Sequence, residues 1–396
     1  MPARILHVDL DAFFVEVCRR HHPELRGVDL LIIGGSAEGR GVVESASYGA
    51  RRFGVRAGMP SGQAMRLCPG ATLFHGNFEH YRAASRAVRA VLEQHAPVVV
   101  MASLDEAYLD FAGTERMHPV SLLPAAERIR DDVRAATGLD CSIGIGPNRM
   151  IAKLASDHAK PRGLMEVRSG WEEGFLAGLP LSALPGIGPR TAARLAQLGL
   201  TEVLQVQRMP LANLEALIGG DAKTLKLRAH GHGGSTLRPH SISRSVSRET
   251  TFSEDLRDPV QLETVLARLV ARVGADLRGD GLAARTVVLK LRHDDFRTVT
   301  RRRTLDDPTQ LDAELGAAAV ALFRAAFEEV RARDRGVRLV GVAAVNLVAA
   351  MEADLFEPPA RTRLRRLTSA VDEVRARFGF DALAPARIQR RRPPPD

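Results

Sequence analysis

Two acidic clusters carry the residue types and spacing for metal-assisted chemistry: Asp9-Leu10-Asp11 and Asp105-Glu106. The first closes an apolar run, Ile5-Leu6-His7-Val8, and the second is flanked by two strand-like runs, Val98–Met101 and Glu106–Phe111. Nucleotidyl transfer with two divalent ions needs carboxylates converging on ions about 3.5–4 Å apart, because hard cations take oxygen ligands. Sheet ends are rigid places to mount them. Acids that cap helices or face water would leave the same letters, so these clusters raise metal chemistry as one of two readings.

Two further patterns suit a polyanion. In Leu184-Pro185-Gly186-Ile187-Gly188-Pro189 a G-x-G hairpin feeds a helical pattern, and Gly186 and Gly188 let backbone N–H groups point at a phosphate. In Thr286–Arg292 the alternation puts Val287, Leu289 and Leu291 on a core face and Lys290 and Arg292 on an exposed one. Arg301, Arg302 and Arg303 follow on the next strand-like run. Basic side chains across a sheet can track a duplex backbone without reading bases.

The elements that must position these residues follow from periodicity. Strands are expected at 5–8, 29–33, 98–101, 106–111 and 141–145, and helices at 12–20, 78–95, 124–137 and 148–158. Residues 39–76 read as Gly-rich and irregular, with one short helix near 61–68. Residues 171–230 read as short helices punctuated by Gly and Pro. From about 240 the order is strand, helix, two strands, helix, strand, a βαββαβ unit whose helices share one face of a four-stranded sheet. The last forty residues are rich in Arg and Pro, with a helical stretch at 363–378.

A chain of 396 residues, 45% apolar and 26% charged, is long enough for two to four globular domains. No run of 18 uncharged apolar residues occurs, so no membrane partner is expected. Cys18, Cys68 and Cys141 are far apart, which excludes a disulfide scaffold or zinc ribbon and suits a reducing cytoplasm. The net charge is +9, with only five lysines among 56 basic residues. The basic excess points either to nucleic acid or to a solvated, Arg-rich surface.

The motifs together carry a family resemblance. Val8-Asp9-Leu10-Asp11-Ala12-Phe13-Phe14, the stretch Ala46–Pro60 with Tyr48 and Arg51, Ser103–Asp110, Gly144–Asp157 and Ala159-Lys160-Pro161 resemble the Y-family DNA polymerases in their bacterial polymerase IV (DinB-like) branch. The resemblance covers residues 4 to about 350 in order. It implies an α+β multidomain right hand: palm and fingers at 1–168 (fingers about 13–76), a helix-hairpin-helix thumb at 169–235, a βαββαβ little finger at 236–350 and a tail at 351–396.

It also implies site roles. Asp9, Asp105 and Glu106 would hold two Mg2+ ions with the Leu10 carbonyl, and Glu106 occupies the place of the active-site acid. Tyr48, Arg51 and Lys160 would grip the triphosphate of an incoming dNTP, and Phe13 and Phe14 would line the nucleotide, with Phe14 as the steric gate against a ribose 2′-hydroxyl. Lys160 is one of the few lysines in an arginine-using chain, as if an ammonium were wanted there. Asp11 reads as support behind the ligands or as a cap for the next helix. Ala12, Ser47, Val100 and His158 depart from the family pattern and touch no proposed ligand.

The implied activity is low-fidelity, translesion, template-directed extension of a primer 3′-hydroxyl by a monomer without proofreading. A catalytically silent Y-family scaffold is the alternative, and retention of the three carboxylates argues against it. A helix-hairpin-helix nuclease or glycosylase would leave the first 168 residues without a role. Beyond the last strand, Glu352-Ala353-Asp354-Leu355-Phe356 resembles a sliding-clamp peptide with Leu355 and Phe356 as anchors, although glutamate stands where glutamine is usual. A strand end packing on its own domain fits the same residues.

Overall fold

The computed structural model describes residues 4–35, 39–237, 245–332, 334–350 and 358–383. The chain forms two compact units, residues 1–241 and 242–396. In the first, β1 (Ile5–Leu10) leads through α1 (Phe13–His21) to β2 (Leu30–Gly34), β3 (Val42–Ala46), α2 (Tyr48–Arg52), α3 (Ser61–Leu67) and β4 (Thr72–Phe74). Then come α4 (Phe78–His95), β5 (Val98–Met101), β6 (Glu106–Asp110), α5 (Leu123–Thr137), β7 (Cys141–Gly146), α6 (Arg149–Ala159) and β8 (Leu164–Glu166). Short helices complete it: α7 (Glu172–Ala177), α8 (Pro189–Gln197), α9 (Val203–Arg208), α10 (Leu211–Ile218) and α11 (Ala222–Ala229).

The main sheet has the order β5-β6-β1-β7-β8, so β1 is central and antiparallel to both neighbours. Every residue of β1 is buried, because the strand is covered on both faces. Leu6, Val8 and Leu10 join a cluster with α1, α4 and α5 residues such as Val15, Leu92 and Ile129. The alternate residues Ile5, His7 and Asp9 take the opposite face, where α6 lies.

Helix α6 approaches β7 unusually closely, and glycine permits it. A Cβ on Gly144 would stand 2.1 Å from the Ala152 carbonyl oxygen and 2.2 Å from the Ser156 nitrogen, both α6 backbone. Gly146 repeats the approach, 2.7 Å from the Ala152 nitrogen. Asn148 starts the helix by accepting from the Ile151 N–H at 3.1 Å, as an N-cap should.

Residues 39–76 are more regular than their glycines suggest. They hold β3 and β4, which flank β2 in a second sheet of order β3-β2-β4 around Leu31, Ile33 and Val43. The strands are short and β3 exposes alternate residues, so no apolar run announces them. The three-residue strand β8 also goes unannounced. The helical segment 172–229 gathers its own cluster, including Leu176, Leu195, Val206 and Leu225. Lys226 donates to the carbonyls of Val206, Gln207 and Met209 at 2.7–2.9 Å and closes the end of α9.

The second unit comprises β9 (Ser245–Leu256), α12 (Pro259–Gly279), β10 (Leu282–His293), β11 (Thr298–Thr309), α13 (Asp312–Ala332), β12 (Val337–Ala349) and α14 (Pro359–Phe378). This is the expected βαββαβ order, folded as an antiparallel sheet β11-β10-β12-β9. Leu262, Leu266, Leu289, Val340 and Phe323 form one cluster between that sheet and α12 with α13. Helix α14 joins by polar contacts: Arg278 on α12 donates to both oxygens of Asp372 at 2.5 and 2.9 Å and to Asp312 at 2.8 Å. Cys18, Cys68 and Cys141 are buried and free. Among the described residues no helix is long and apolar enough to cross a membrane.

The close approach at Gly144 has a direct test. Gly144→Ala should lower unfolding free energy by about 3 kcal/mol, because the methyl meets helix backbone that cannot rotate away. Gly70→Ala, with nothing within 4 Å of its added carbon, should change it little. Urea denaturation midpoints of the two variants check this.

Candidate active site

Antiparallel pairing places Asp9 opposite Glu106 on β6, and the Leu10 N–H donates to the Asp105 carbonyl at 2.9 Å. The register therefore brings the two acidic clusters to one sheet end. Asp9 is 5% exposed and accepts from Lys160 Nζ at 2.7 Å. Burial pushes its carboxyl up to about 6, against the pull of Lys160. Glu106 has the opposite balance: His7 at 3.5 Å from Oε2, together with Lys153 at 2.7 Å from Oε1, holds it down at about 2 against its partial burial. Asp105 is turned to Ser103, whose hydroxyl donates to it at 2.5 Å and accepts the Glu106 N–H at 3.0 Å.

Among the described residues no three acidic, His or Cys side chains converge on one point. The donor set nonetheless fits a hard divalent cation. Three carboxylates and the Leu10 carbonyl supply oxygens only, and the buried Asp9 carboxylate lies in surroundings that favour added positive charge.

Asp11 does not cap α1: the N-cap is Ala12, and no side chain caps that end. Instead Asp11 accepts from Tyr48 Oη at 2.7 Å, from Ser142 Oγ at 3.1 and 3.2 Å and from the Arg162 N–H at 2.9 Å. The Tyr48 phenol is pushed well above its usual range by burial and then by Asp11, so it stays protonated and remains a donor. The Arg51 guanidinium lies 4.9 Å over the Tyr48 ring and donates to the Ala46 carbonyl at 2.9 Å. Ser47 caps their helix α2 by accepting the Ala50 N–H at 3.2 Å.

Ala12 turns the chain with φ 46°, a left-handed conformation that costs about 1–3 kcal/mol for a non-glycine residue. The turn sends Phe13 into the interior and leaves Phe14 half-buried. Phe14 stands edge-on to Tyr81 at 4.6 Å, with Phe13 at 5.3 Å and Phe78 at 6.5 Å. Tyr81 is wholly buried, and its hydroxyl lies 3.1 Å from Cys18 Sγ.

Gly186 has φ +92°, which its hairpin requires, and Gly188 is the N-cap of α8 with open space around it. On the second unit's sheet, Lys290 and Arg292 lie on the face away from the helices, as the alternation predicts. Lys290 reaches across Gly341 to Glu249 at 2.7 Å. The three arginines of β11 do not share that face. Arg302 pairs with Val288 on the open side, whereas Arg301 and Arg303 pair with the core residues Leu289 and Val287. Cross-strand partners point the same way, and Arg301 accordingly bonds Glu329 on α13. A run of like residues on a strand must split between faces. Leu355 and Phe356 lie outside the described residues.

The sequence pattern assigns no role to His7 and Lys153, which flank Glu106, or to Ser156, which bonds His7. A signal existed for Lys153: it is also one of the five lysines, and its spacing of seven from Lys160 is that of one helix face.

With this geometry, the likeness to known proteins extends over nearly all of the chain. The impB/mucB/samB family matches residues 8–157, its C-terminal domain residues 243–355 and the family's HHH motif residues 172–200. A protein named DNA polymerase IV from Dehalococcoides mccartyi (strain CBDB1) is 38% identical over 387 residues, 98% of each chain. One of that name from Caulobacter vibrioides is 37% identical over 97% of this chain and 93% of its own. Among solved structures, a Y-family DNA polymerase chimera matches with TM-score 0.77 and 26% identity, over 87% of this chain and 99% of its own. DinB from Sulfolobus solfataricus matches with TM-score 0.58 and 25% identity, over 88% of this chain and all of its own. Acidic sheet end, aromatic platform and these matches agree: the chain belongs to the impB/mucB/samB family and is a Y-family DNA polymerase.

Proposed function

We propose that this polymerase extends a primer 3′-hydroxyl with dNTPs on damaged templates, at low fidelity and without proofreading, using two Mg2+ ions. The observation that carries the reading is the β1–β6 register, which sets Asp9 opposite Glu106 beside Asp105. Asp9, Asp105, Glu106 and the Leu10 carbonyl would hold the ions. Bound there, such ions lower the pKa of an attacking hydroxyl and neutralise a triphosphate.

The chain's own groups supply the rest. Lys160 and Arg51 bring fixed positive charge and Tyr48 a protonated donor, the three kinds of contact that a triphosphate takes. Phe14, held edge-on by Tyr81, is the flat wall that would meet a ribose 2′-hydroxyl. Gly186, Gly188, Lys290, Arg292 and Arg302 contact the primer–template backbone, and the roles of Arg301 and Arg303 there are secondary. The enzyme works as a monomer in the cytoplasm, with Leu355 and Phe356 docking on the sliding clamp as buried apolar anchors.

Replacing Asp105 or Glu106 by Ala should cut the primer-extension rate at least about 100-fold, equivalent to a few kcal/mol of lost stabilisation. A binding isotherm for primer–template on the same proteins should be unchanged. Robust extension by either variant defeats the ligand assignment.

Phe14→Ala should raise ribonucleotide use relative to deoxynucleotide use by about 100-fold or more, since a steric wall discriminates by clash rather than by a lost contact. Single-nucleotide incorporation efficiencies with dNTP and rNTP measure the ratio.

The logarithm of the binding constant for primer–template should fall linearly with log salt, at a slope of about −0.9 per neutralised phosphate. Arg302→Ala should flatten that slope by up to about 0.9. Arg301→Ala should leave it nearly unchanged, because its guanidinium is engaged by Glu329. Fluorescence anisotropy across a salt series separates the two.

A further inference from the structure

Helix α6 carries an acid where its own position does not favour one. Asp157 lies in the last turn, just before the helix closes at Ala159. A carboxylate there meets the negative end of the helix dipole, where basic residues are preferred, and aspartate is a poor helix former. It follows Lys153 by one helical turn, on the same face. Lys153 is engaged by Glu106 at 2.7 Å. Asp157 pairs in the other direction, with the residue that follows the helix: Lys160 Nζ donates to Asp157 Oδ1 at 3.0 Å and to Asp9 Oδ2 at 2.7 Å.

The donors on that ammonium can be counted. A lysine carries three N–H donors and no acceptor. Two of them on Lys160 are held by carboxylates, and two fixed directions of a tetrahedral group set the third. The side chain is 25% exposed, which leaves the third N–H for a ligand from outside the chain.

The two holds on Lys160 are not equivalent. Asp9 is buried and is one of the carboxylates that would bind a cation, which competes with the ammonium for the same oxygens. Asp157 belongs to no proposed ligand set, and its side chain is 45% exposed. A cation at the sheet end therefore loosens the first hold and leaves the second. Without the second, Lys160 would swing on a flexible stem and lose that freedom only on meeting a phosphate, at a cost to affinity.

We propose that Asp157 is a positioning residue for the incoming triphosphate: it keeps the Lys160 ammonium in place when Asp9 is engaged by a cation, with one N–H left for the phosphate. The inference rests on the reading of Lys160 as a triphosphate contact.

The test uses the full-length protein on a primer–template whose primer ends in a dideoxynucleotide, so that the next dNTP binds with Mg2+ and is not incorporated. Its Kd is measured beside KM and kcat on an extendable primer. Asp157→Asn should raise the Kd about fivefold, the scale of a partly exposed ion pair. KM should rise by the same factor, with kcat within about twofold. Asp157→Glu, which keeps the charge, should stay within about twofold of wild type in Kd. Lys160→Ala should raise the Kd about twentyfold, and adding Asp157→Asn to it should change the Kd less than about twofold, because a residue that acts through Lys160 has nothing left to act on.

An unchanged Kd in Asp157→Asn overturns the proposal. A lower Kd overturns it too, since the carboxylate would then only repel the triphosphate. A fivefold rise that persists in the Lys160→Ala background overturns it as well, because Asp157 would be acting by another route, such as Lys153. Lys160→Ala separates the two readings. Wild-type Kd in that variant defeats the triphosphate assignment of Lys160 and the inference with it, whereas a loss there with none in Asp157→Asn removes only the role of Asp157.

Discussion

The seating of α6 on the central sheet is the constraint on which the site depends. At Gly144 the helix backbone occupies the space of a side chain. That approach brings Ser156 within 2.6 Å of His7, and delivers Lys153 to Glu106 and Lys160 to Asp9. Without it, β1 would present His7 and Asp9 to an apolar layer, where an unpaired carboxylate costs several kcal/mol. With it, the same face becomes an enclosed polar seam. The two carboxylates then diverge: Asp9 is raised by burial and Glu106 is lowered by His7 and Lys153. One sheet end thus holds a reluctant anion and a firm one, a combination that positive charge from outside the chain stabilises further.

The second unit uses charge in another way. Its sheet buries one face against α12 and α13 and turns the other to solvent, where Lys290 and Arg292 make exposed contacts with Glu249 and the Thr298 hydroxyl. The helical side carries fixed pairs instead. Arg278 bridges Asp312 and Asp372, and Arg375 and Arg272 both lie over the Phe380 ring, at 4.2 and 4.5 Å. Planar, delocalised guanidinium suits bidentate and stacked contacts, which is how α14 is held with few apolar residues. The lysines serve different ends: Lys153, Lys160 and Lys290 each meet a carboxylate, and Lys226 meets three carbonyls at a helix end. A compact ammonium with rotatable donors fits such convergent acceptors, and a fork does not.

Long periodic elements were legible because burial on one face writes itself into the sequence. The helix at 78–95 and the strand at 98–101 stand where the pattern predicts them, and the βαββαβ order follows the alternation at Val287, Leu289 and Leu291. Strands β3, β4 and β8 were not legible, since three to five residues at an edge need no alternation. The acidic clusters were visible as types, but their meeting depends on antiparallel register, a long-range property. The same holds for Asp11, whose partners Tyr48, Ser142 and Arg162 come from distant segments. The arginine run at 301–303 divides between the two faces for a simpler reason: three consecutive residues on a strand cannot face one way.

Asp9 and Asp11 also show how one short motif divides two tasks. Strand β1 ends at Leu10, and the left-handed Ala12 redirects the chain before α1 begins. Asp9 therefore stays in the sheet opposite Glu106, while Asp11 reaches Tyr48 and through it the start of α2. Phe14 lies three residues further on, braced against Tyr81 of α4. The carboxylates, the Tyr48–Arg51 pair and the aromatic wall are thus hung from a single turn. A shift of that turn would move the acidic sheet end, the Tyr48–Arg51 pair and the aromatic wall together. Strain of about 1–3 kcal/mol at Ala12 is consistent with a turn fixed by its partners rather than by its own preference. Asp11, which accepts from three donors in three separate segments, ties the residue next to that turn to Tyr48, Ser142 and Arg162.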